Sequence, residues 1–282
     1  MRLANLDGRA VVLTSDESGF DVHTASGGAF GPGLSEIYAD WAAFTAWAAT
    51  ATASGDVAID RSRLGSPSPR PSQVFAIGLN YSDHAAESGF ERPDELPPVF
   101  TKWQSSITGP DTTVALPPGG DTDWEVELVV VIGARAHRLA AGTGWDAIAG
   151  LAVGQDLSER VTQLRGPAPQ FGLGKSFPGF APIGPWLVTP DEVADRDDLE
   201  LWATLDGDEV QRGRTRQLIY PVAKLVEGLS EVVALEPGDV IFTGTPAGVG
   251  FARKPPRLIQ PGEVLVSGIE GIGTITQRFV AG

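Results

Sequence analysis

The chain has 282 residues, 42% of them hydrophobic, which is enough to bury a core in one large domain with a small addition or in two modest domains. It contains no cysteine, which excludes disulfides, thiolate zinc sites and a cysteine nucleophile. Its formal charge of −15 would repel phosphate backbones, so nucleic acid is not an expected partner, and an anionic substrate would need a local positive centre.

The N-terminal region begins without the apolar segment of a signal peptide, and no later stretch approaches the ~20 apolar residues of a membrane span. We therefore expect a cytoplasmic protein with no membrane partner. Apolar patterning predicts strands at 10–14 and 20–24 and a helix over 34–52. The stretch 61–72 is rich in proline, serine and arginine, which is typical of a connector.

The connector divides the chain into a small N-terminal domain with its linker at residues 1–70 and a larger domain at residues 71–282. The whole chain holds 22 prolines and 35 glycines, which favour many short strands and tight turns. Helical pieces are expected near 81–88, 157–164 and 222–229. The fold class is therefore predicted to be β-rich α+β.

Two glutamates, Glu125 and Glu127, stand at the head of the apolar run 126–132, which predicts a buried strand. Side chains at i and i+2 of a strand lie on one face, about 7 Å apart. A buried carboxylate pair needs a positive partner, and a hard divalent cation such as Mg²⁺ takes oxygen ligands. The alternative is that the strand end reaches solvent and both glutamates are hydrated.

The segment that follows a strand ending near residue 77 contains His84 and Glu87. Three residues apart on a helix, they would face the same side, so Glu87 could orient the imidazole of His84 as a general base. The alternative is a pair on a solvated helix face.

Asp156, Arg160 and Gln163 follow i, i+4, i+7 spacing and would share one face of a helix beginning there. That face would offer a carboxylate for a metal, a guanidinium for a substrate carboxylate and an amide that orients it. Asp156 could instead be a helix N-cap with Arg160 as its intrahelical partner.

Lys175 lies between a glycine-rich turn and the apolar segment 177–180. In a partly dry cleft its ammonium group would stabilise developing negative charge, whereas the alternative is an exposed loop lysine. Further on, the segment 237–250 predicts a buried strand that ends in a Gly/Thr loop. Backbone N–H groups and hydroxyls of that loop could contact an anion.

Taken in order, these segments resemble the fumarylacetoacetate hydrolase family. The resemblance covers roughly residues 74–279 and depends on the order of many weak motifs, which are 78–81 with His84 and Glu87, 123–128, 155–160 with Gln163, 174–177, 184–189, 237–241, 243–250 and 269–273. The chain departs from the common family pattern at Pro178, where many members carry an aspartate.

The resemblance implies a β-sandwich roll catalytic domain, a small N-terminal α/β domain and a homodimer. It also implies a Mg²⁺ or Mn²⁺ ion held at Glu125, Glu127 and Asp156. The catalytic residues would be His84, Glu87 and Lys175, and the substrate-binding residues would be Arg160, Gln163, Thr245, Gly244 and Tyr81.

The reaction expected from the resemblance is hydrolysis of a C–C bond in a 2,4-dioxo acid, such as an acylpyruvate, to a 2-oxo acid and a carboxylic acid. The runner-up is a decarboxylase or isomerase of 2-oxo diacids, which would use the same metal chemistry with a different task for His84. A third hypothesis is a non-catalytic, metal-dependent protein that binds 2-oxo acids.

Overall fold

The computed structural model describes residues 1–53, 55–82 and 96–282. Within these residues the chain is built mainly of strands, with short helices. The strands are β1 Arg2–Leu6, β2 Arg9–Leu13, β3 Ser18–Asp21, β4 Val57–Ala58, β5 Leu64–Gly65, β6 Val74–Ile77, β7 Val99–Thr101, β8 Ile107–Thr108, β9 Asp111–Leu116, β10 Thr122–Asp123, β11 Val126–Ile132, β12 Ile148–Gln155, β13 Ser158–Glu159, β14 Ala181–Val188, β15 Glu200–Leu205, β16 Asp208–Arg214, β17 Val240–Phe242, β18 Val264–Ile269 and β19 Gly273–Ala281.

The described α-helices are α1 Val22–Ala25, α2 Leu34–Ala39, α3 Trp41–Ala48, α4 Arg160–Gln163, α5 Phe171–Gly174 and α6 Val222–Val232. Short 3-10 helices occur at Arg61–Arg63, Gln104–Ser106, Gly144–Ala147, Pro190–Glu192 and Thr215–Gln217. In the described part of the chain, no helix is both long enough and apolar enough to cross a membrane.

A large mixed sheet forms the centre of the molecule. Its strands follow the order β4-β3-β2-β1-β14-β12-β11-β17-β6-β7, with β5 paired to β1 and β8 paired to β14. A second sheet has the order β16-β15-β18-β19-β9, and β10 pairs with β13 in a small ribbon. The strand-rich prediction is confirmed.

Strand β11 lies inside the large sheet, between β12 and β17, and every one of its residues is buried. Val126, Leu128 and Val130 point into a core shared with the second sheet. Val129 and Val131 point into a second core that includes residues of α2 and α3. An interior strand that is covered on both faces has apolar side chains at nearly every position. The continuous apolar run of β11 therefore predicts this strand correctly.

The N-terminal strands extend the large sheet because β1 pairs with β14. The predicted strand at 10–14 is confirmed as β2. The predicted strand at 20–24 is wrong beyond Asp21, whose carboxylate caps the helical turn α1 by accepting from Thr24 N. The single helix predicted over 34–52 is two helices, because Asp40 has non-helical angles and its carboxylate caps α3.

The predicted connector at 61–72 packs against the rest of the protein. Ser66 and Ser68 are buried, and the Ser68 hydroxyl donates to the Gly238 carbonyl at 2.6 Å. Tyr38 of α2 donates its hydroxyl to the Pro67 carbonyl at 2.9 Å. The division into domains at 1–70 and 71–282 stays a prediction.

Two of the predicted helical pieces can be compared with the structure in full. The helix predicted at 222–229 is confirmed as α6, which continues to Val232. The helix predicted at 157–164 begins only at Arg160, because the residues before it form β13. The third piece, at 81–88, lies almost wholly outside the described residues.

Candidate metal centre and active site

Strands β11 and β12 bring three carboxylates together. Val126 faces Gln155 across this pair, so Glu125 lies opposite Asp156, and the Asp156 N–H donates to the Glu125 carbonyl at 2.9 Å. Oxygen atoms of Glu125, Glu127 and Asp156 lie within 4.8 Å of one another. All three residues are buried, so the alternative of two hydrated glutamates is wrong.

Two buried lysines bind this carboxylate triad. Lys175 Nζ lies 2.8 Å from Glu125 Oε2 and 2.6 Å from Asp156 Oδ2. Lys102 Nζ lies 2.6 Å from Asp156 Oδ1 and also donates to the Lys175 carbonyl oxygen. Lys175 is only 2% exposed, so the alternative of an exposed loop lysine is wrong.

A buried arginine completes the cluster from the other side. Arg160 donates to Asp123 Oδ2 from Nε at 3.0 Å and from Nη2 at 2.5 Å, and Nη2 lies 2.8 Å from Glu125 Oε1. Its Nη1 donates to Gln163 Oε1 at 2.8 Å. Helix α4 begins at Arg160 and is capped by Glu159, so Asp156 is neither its N-cap nor on a helix face with Arg160 and Gln163, and both predictions are wrong. Asp156 instead follows β12.

The cluster carries more negative than positive charge. Its four carboxylates are Asp123, Glu125, Glu127 and Asp156, and its three cations are Lys102, Lys175 and Arg160, which leaves one surplus negative charge among the described residues when all are ionised. Because all seven side chains are buried, this charge has little water to screen it.

The pKa values respond to this burial and charge. Burial raises the pKa of Glu127 well above its usual range, and the charges of Asp156 and Glu125 raise it further. Burial lowers the pKa of Lys102. Burial acts in the same direction on Lys175, but the charges of Asp156 and Glu125 prevail and raise the pKa of that lysine.

The donor set fits a hard divalent cation. Three carboxylates converge within reach of one ion, and such oxygens are the ligands that Mg²⁺ and Mn²⁺ prefer. An additional positive charge would also offset the burial and the repulsion by Asp156 and Glu125 that raise the pKa of Glu127.

The loop after β17 holds the triad in place. The Gly244 N–H donates to Glu127 Oε2 at 2.7 Å, and Gly244 has φ +106°, a conformation that favours glycine. A Cβ at this position would lie 2.8 Å from the Asn80 Cβ. The Thr245 hydroxyl donates to the Val126 carbonyl at 2.9 Å. Gly244 and Thr245 were both predicted to contact the substrate. In the structure Gly244 binds the Glu127 side chain and Thr245 binds the backbone of β11.

Tyr81 is the remaining predicted substrate contact that the structure describes. Its side chain is buried, and its hydroxyl has no hydrogen-bond partner among the described residues. Burial raises the pKa of Tyr81, and the nearby charge of Glu127 acts in the same direction. The predicted dyad His84 and Glu87 lies outside the described residues.

A cavity of about 260 Å³ opens beside the triad. It is lined by five predicted site residues, which are Glu125, Arg160, Gln163, Lys175 and Thr245. The rest of its lining is apolar apart from Gly78 and consists of Ile77, Leu79, Phe100, Leu164, Phe171, Val249, Phe251 and Ala252.

The roles of Lys102 and Asp123 are not predicted from the sequence. Lys102 follows the short strand β7 and finds its partner Asp156 far along the chain, which no local pattern indicates. The role of Asp123 could have been predicted, because Asp123 lies two residues before Glu125 and extends the i, i+2 spacing of Glu125 and Glu127. It also accepts the Gly250 N–H at 2.7 Å and the Phe251 N–H at 3.0 Å.

The fold and this cluster agree with the family comparison. Residues 73–280 match the family described as fumarylacetoacetate (FAA) hydrolase, C-terminal, and the chain belongs to this family. Over 218 aligned residues, 77% of each chain, it is 48% identical to a provisionally named hydrolase of Burkholderia cenocepacia.

Three solved structures share the fold along the whole chain. A provisionally named HpcE protein of Mycobacterium smegmatis is 53% identical, with a TM-score of 0.95 and coverage of 100% of this chain and 99% of the other. Maleylpyruvate hydrolase from Sphingobium sp. SYK-6, in complex with manganese(II) ion and pyruvate, is 27% identical, with a TM-score of 0.78 and full coverage of both chains. The 2-hydroxyhepta-2,4-diene-1,7-dioate isomerase of Mycobacterium marinum is 28% identical, with a TM-score of 0.75 and coverage of 100% and 98%.

Proposed function

We propose that the protein is a divalent-metal-dependent hydrolase that cleaves the C3–C4 bond of a 2,4-dioxo acid such as an acylpyruvate. The products are pyruvate, or a related 2-oxo acid, and a carboxylic acid. The observation that carries the proposal is the buried triad of Glu125, Glu127 and Asp156 beside a cavity that Lys175 and Arg160 also line. The hydrolase structure that contains manganese(II) and pyruvate supports the same reaction class.

In this proposal Glu125, Glu127 and Asp156 hold a Mg²⁺ or Mn²⁺ ion. Such an ion would supply a Lewis acid that stabilises the negative charge developing on the substrate. The Gly244 N–H keeps the Glu127 carboxylate directed at this position.

His84 and Glu87 are the proposed base and its orienting carboxylate, assigned by family resemblance. A ring nitrogen of His84 takes a proton from water, the water oxygen bonds to C4, and the C3–C4 electron pair leaves with the three-carbon fragment. The proton then returns to C3, which becomes the methyl group of pyruvate. One water molecule is consumed, and no oxidant or reductant is needed.

Lys175 is the residue proposed to stabilise the oxygen on C4. An ammonium group has three donors, and the described bonds to Glu125 and Asp156 use two of them. The third has no acceptor among the described residues and is available to the oxyanion that forms on C4. Since the ammonium group is held by two carboxylates, it needs little reorganisation during the reaction.

Arg160 and Gln163 can orient the substrate. Four of the five guanidinium N–H groups of Arg160 are engaged by Asp123, Glu125 and Gln163, which leaves one hydrogen on Nη1. Because Gln163 Oε1 accepts from Arg160, its amide nitrogen is directed elsewhere and can donate to a substrate oxygen.

A second candidate is isomerisation of a 2-hydroxy-2,4-diene dioate. The specific observation that favours it is the similarity to the Mycobacterium marinum isomerase over the whole chain. In that reaction the base would take the proton of the C2 hydroxyl group, the double bonds would shift to give a 2-oxo group and a C3=C4 bond, and a proton would be delivered to C5. No water oxygen would enter the product.

Oxygen-isotope labelling separates the two candidates. The protein, loaded with Mg²⁺ or Mn²⁺, is incubated with an acylpyruvate in H₂¹⁸O, and both products are analysed by mass spectrometry. Hydrolysis places one ¹⁸O in the carboxylic acid derived from C4. A protein that isomerises the diene dioate but does not cleave the acylpyruvate would contradict the hydrolase proposal.

The family resemblance also leads us to propose a homodimer. Size-exclusion chromatography with light scattering should give twice the mass of one chain. A mass equal to that of one chain at micromolar concentration would contradict it.

A further inference from the structure

We propose that the substrate is an acylpyruvate whose acyl group is uncharged and apolar, in preference to a 2-oxo acid with a second carboxylate at its far end. This inference rests on the proposed function and names its substrate class. It follows from the apolar part of the cavity lining, here called the apolar wall, which consists of Leu79, Phe100, Leu164, Phe171, Val249 and Phe251.

The described cations that line the cavity are already paired with carboxylates. Among its described lining residues the cations are Arg160 and Lys175, and both are bonded to carboxylates of the metal centre. A carboxylate at the far end of a substrate would therefore lose water against the apolar wall, and no described lining residue would offer it a cation that is free of other carboxylates. An alkyl or aryl group in the same place would be removed from water favourably.

The apolar wall begins next to the reacting carbon. Lys175 Nζ lies 5.2 Å from the centre of the Phe100 ring, and Phe100 packs edge to face on Phe171 with ring centres 5.5 Å apart. Since Lys175 is the proposed partner of the C4 oxygen, the substituent carried by C4 lies beside this aromatic pair. That substituent is the acyl group.

Leu79 belongs to the apolar wall and has a strained backbone conformation. It has φ +57°, a conformation that is uncommon for residues other than glycine. The next residue, Asn80, holds the turn by donating to the Thr243 carbonyl at 2.8 Å and accepting from the Tyr220 N–H at 2.8 Å. A leucine kept in a strained conformation at a cavity indicates a function for its side chain, which here is apolar contact.

The open end of the cavity is also apolar. Leu164 and Phe251 both line the cavity, yet each is 47% exposed. An acyl chain extending from C4 would cover these side chains. The guanidinium carbon of Arg160 lies 5.8 Å from the centre of the Phe251 ring, but this cation is already bonded to Asp123, Glu125 and Gln163.

The test compares acetyl-, butanoyl- and hexanoylpyruvate with fumarylpyruvate on the metal-loaded protein. We expect kcat/KM to rise about fourfold per methylene until the cavity is filled. We also expect fumarylpyruvate to be at least ~10-fold poorer than hexanoylpyruvate, since a buried polar group without a partner is strongly disfavoured. Turnover with a preference for fumarylpyruvate would overturn this inference alone, and no turnover of any member would overturn the proposed function with it.

A charge placed at the cavity mouth provides the matched test. Leu164→Arg should raise the kcat/KM ratio of fumarylpyruvate to hexanoylpyruvate by about 10-fold or more, because it supplies the missing cation. The control is Leu173→Arg, since Leu173 is 64% exposed and does not line the cavity, and its ratio should equal that of the wild type. Equal ratios in all three proteins would contradict an apolar wall that sets specificity.

Discussion

Lys102 and Asp156 form an ion pair inside the protein, with Nζ 2.6 Å from Oδ1 and side chains that are 0% and 1% exposed. The second oxygen of Asp156 is held by Lys175. A carboxylate oxygen can accept more than one bond, so this arrangement orients Asp156 and still leaves lone pairs for a metal ion. We therefore propose that Lys102 is a positioning residue for the candidate metal centre.

The first prediction concerns the removal of the positive charge of Lys102. Lys102→Met should lower the free energy of unfolding by about 3–5 kcal/mol, because it leaves Asp156 buried with one cation fewer. Urea unfolding of the metal-free protein measures the change.

The matched control for this variant is Lys224→Met, which removes a half-exposed lysine paired with Glu227 at 2.8 Å. Its effect should stay within about 1 kcal/mol. Similar losses in the two variants would contradict the structural importance of the buried pair.

The second prediction concerns metal affinity. Glu127→Gln should weaken Mn²⁺ binding by more than about 100-fold, because a ligand carboxylate is lost. Isothermal titration calorimetry measures it, with Glu231→Gln as the control, since Glu231 is exposed. Unchanged Mn²⁺ affinity in the Glu127 variant would show that β11 does not supply the metal site.

The third prediction is a pH dependence of the metal-free protein. Because burial and neighbouring charges raise the pKa of Glu127, the folded state keeps a proton that the unfolded chain releases above about pH 4.3. The stabilisation that results from this retained proton is complete below that pH, and it is lost as the pH rises through the pKa of Glu127 in the folded state.

Scanning fluorimetry in EDTA should therefore show that, as the pH rises above about 4.3, the melting temperature of the wild type falls more steeply than that of Glu127→Gln. Mg²⁺ should reduce the difference, since it binds the ionised carboxylates. Parallel profiles of melting temperature against pH for the two metal-free proteins would contradict a raised pKa of Glu127.

The fourth prediction concerns Asp123. Asp123→Asn removes the charge that faces Arg160, so we expect a loss of about 3–5 kcal/mol in unfolding free energy and a rise in KM as the guanidinium changes orientation. Kinetics and urea unfolding measure the two effects.

The control, Asp198→Asn, breaks a more exposed pair with Arg214 at 2.6 Å and should cost no more than about 1 kcal/mol. An unchanged KM in Asp123→Asn, with only the stability reduced, would restrict Asp123 to a structural role.

Local patterns predicted much of this centre. Side chains alternate along a strand, so the spacing of Glu125 and Glu127 was enough to place their carboxylates together. The apolar run between 126 and 132 is long enough to identify β11 without knowledge of its neighbours. Helix α6 was likewise recognisable from its own residues.

Features that depend on distant partners could not be predicted in this way. Lys102 meets Asp156 only because α5 and the end of β12 converge next to β7. The break at Asp40 arises from a side-chain cap that competes with helix continuation. Arg160 was expected to bind a substrate carboxylate, and the structure shows that most of its donors face Asp123 and Glu125.

The most direct test of the account is pyruvate release from an acylpyruvate by metal-stripped protein, before and after addition of Mg²⁺ or Mn²⁺. We predict no release before addition, and after addition one carboxylic acid for each pyruvate. Release that is independent of metal, or tight metal binding without release from any acylpyruvate, would contradict the proposed hydrolase.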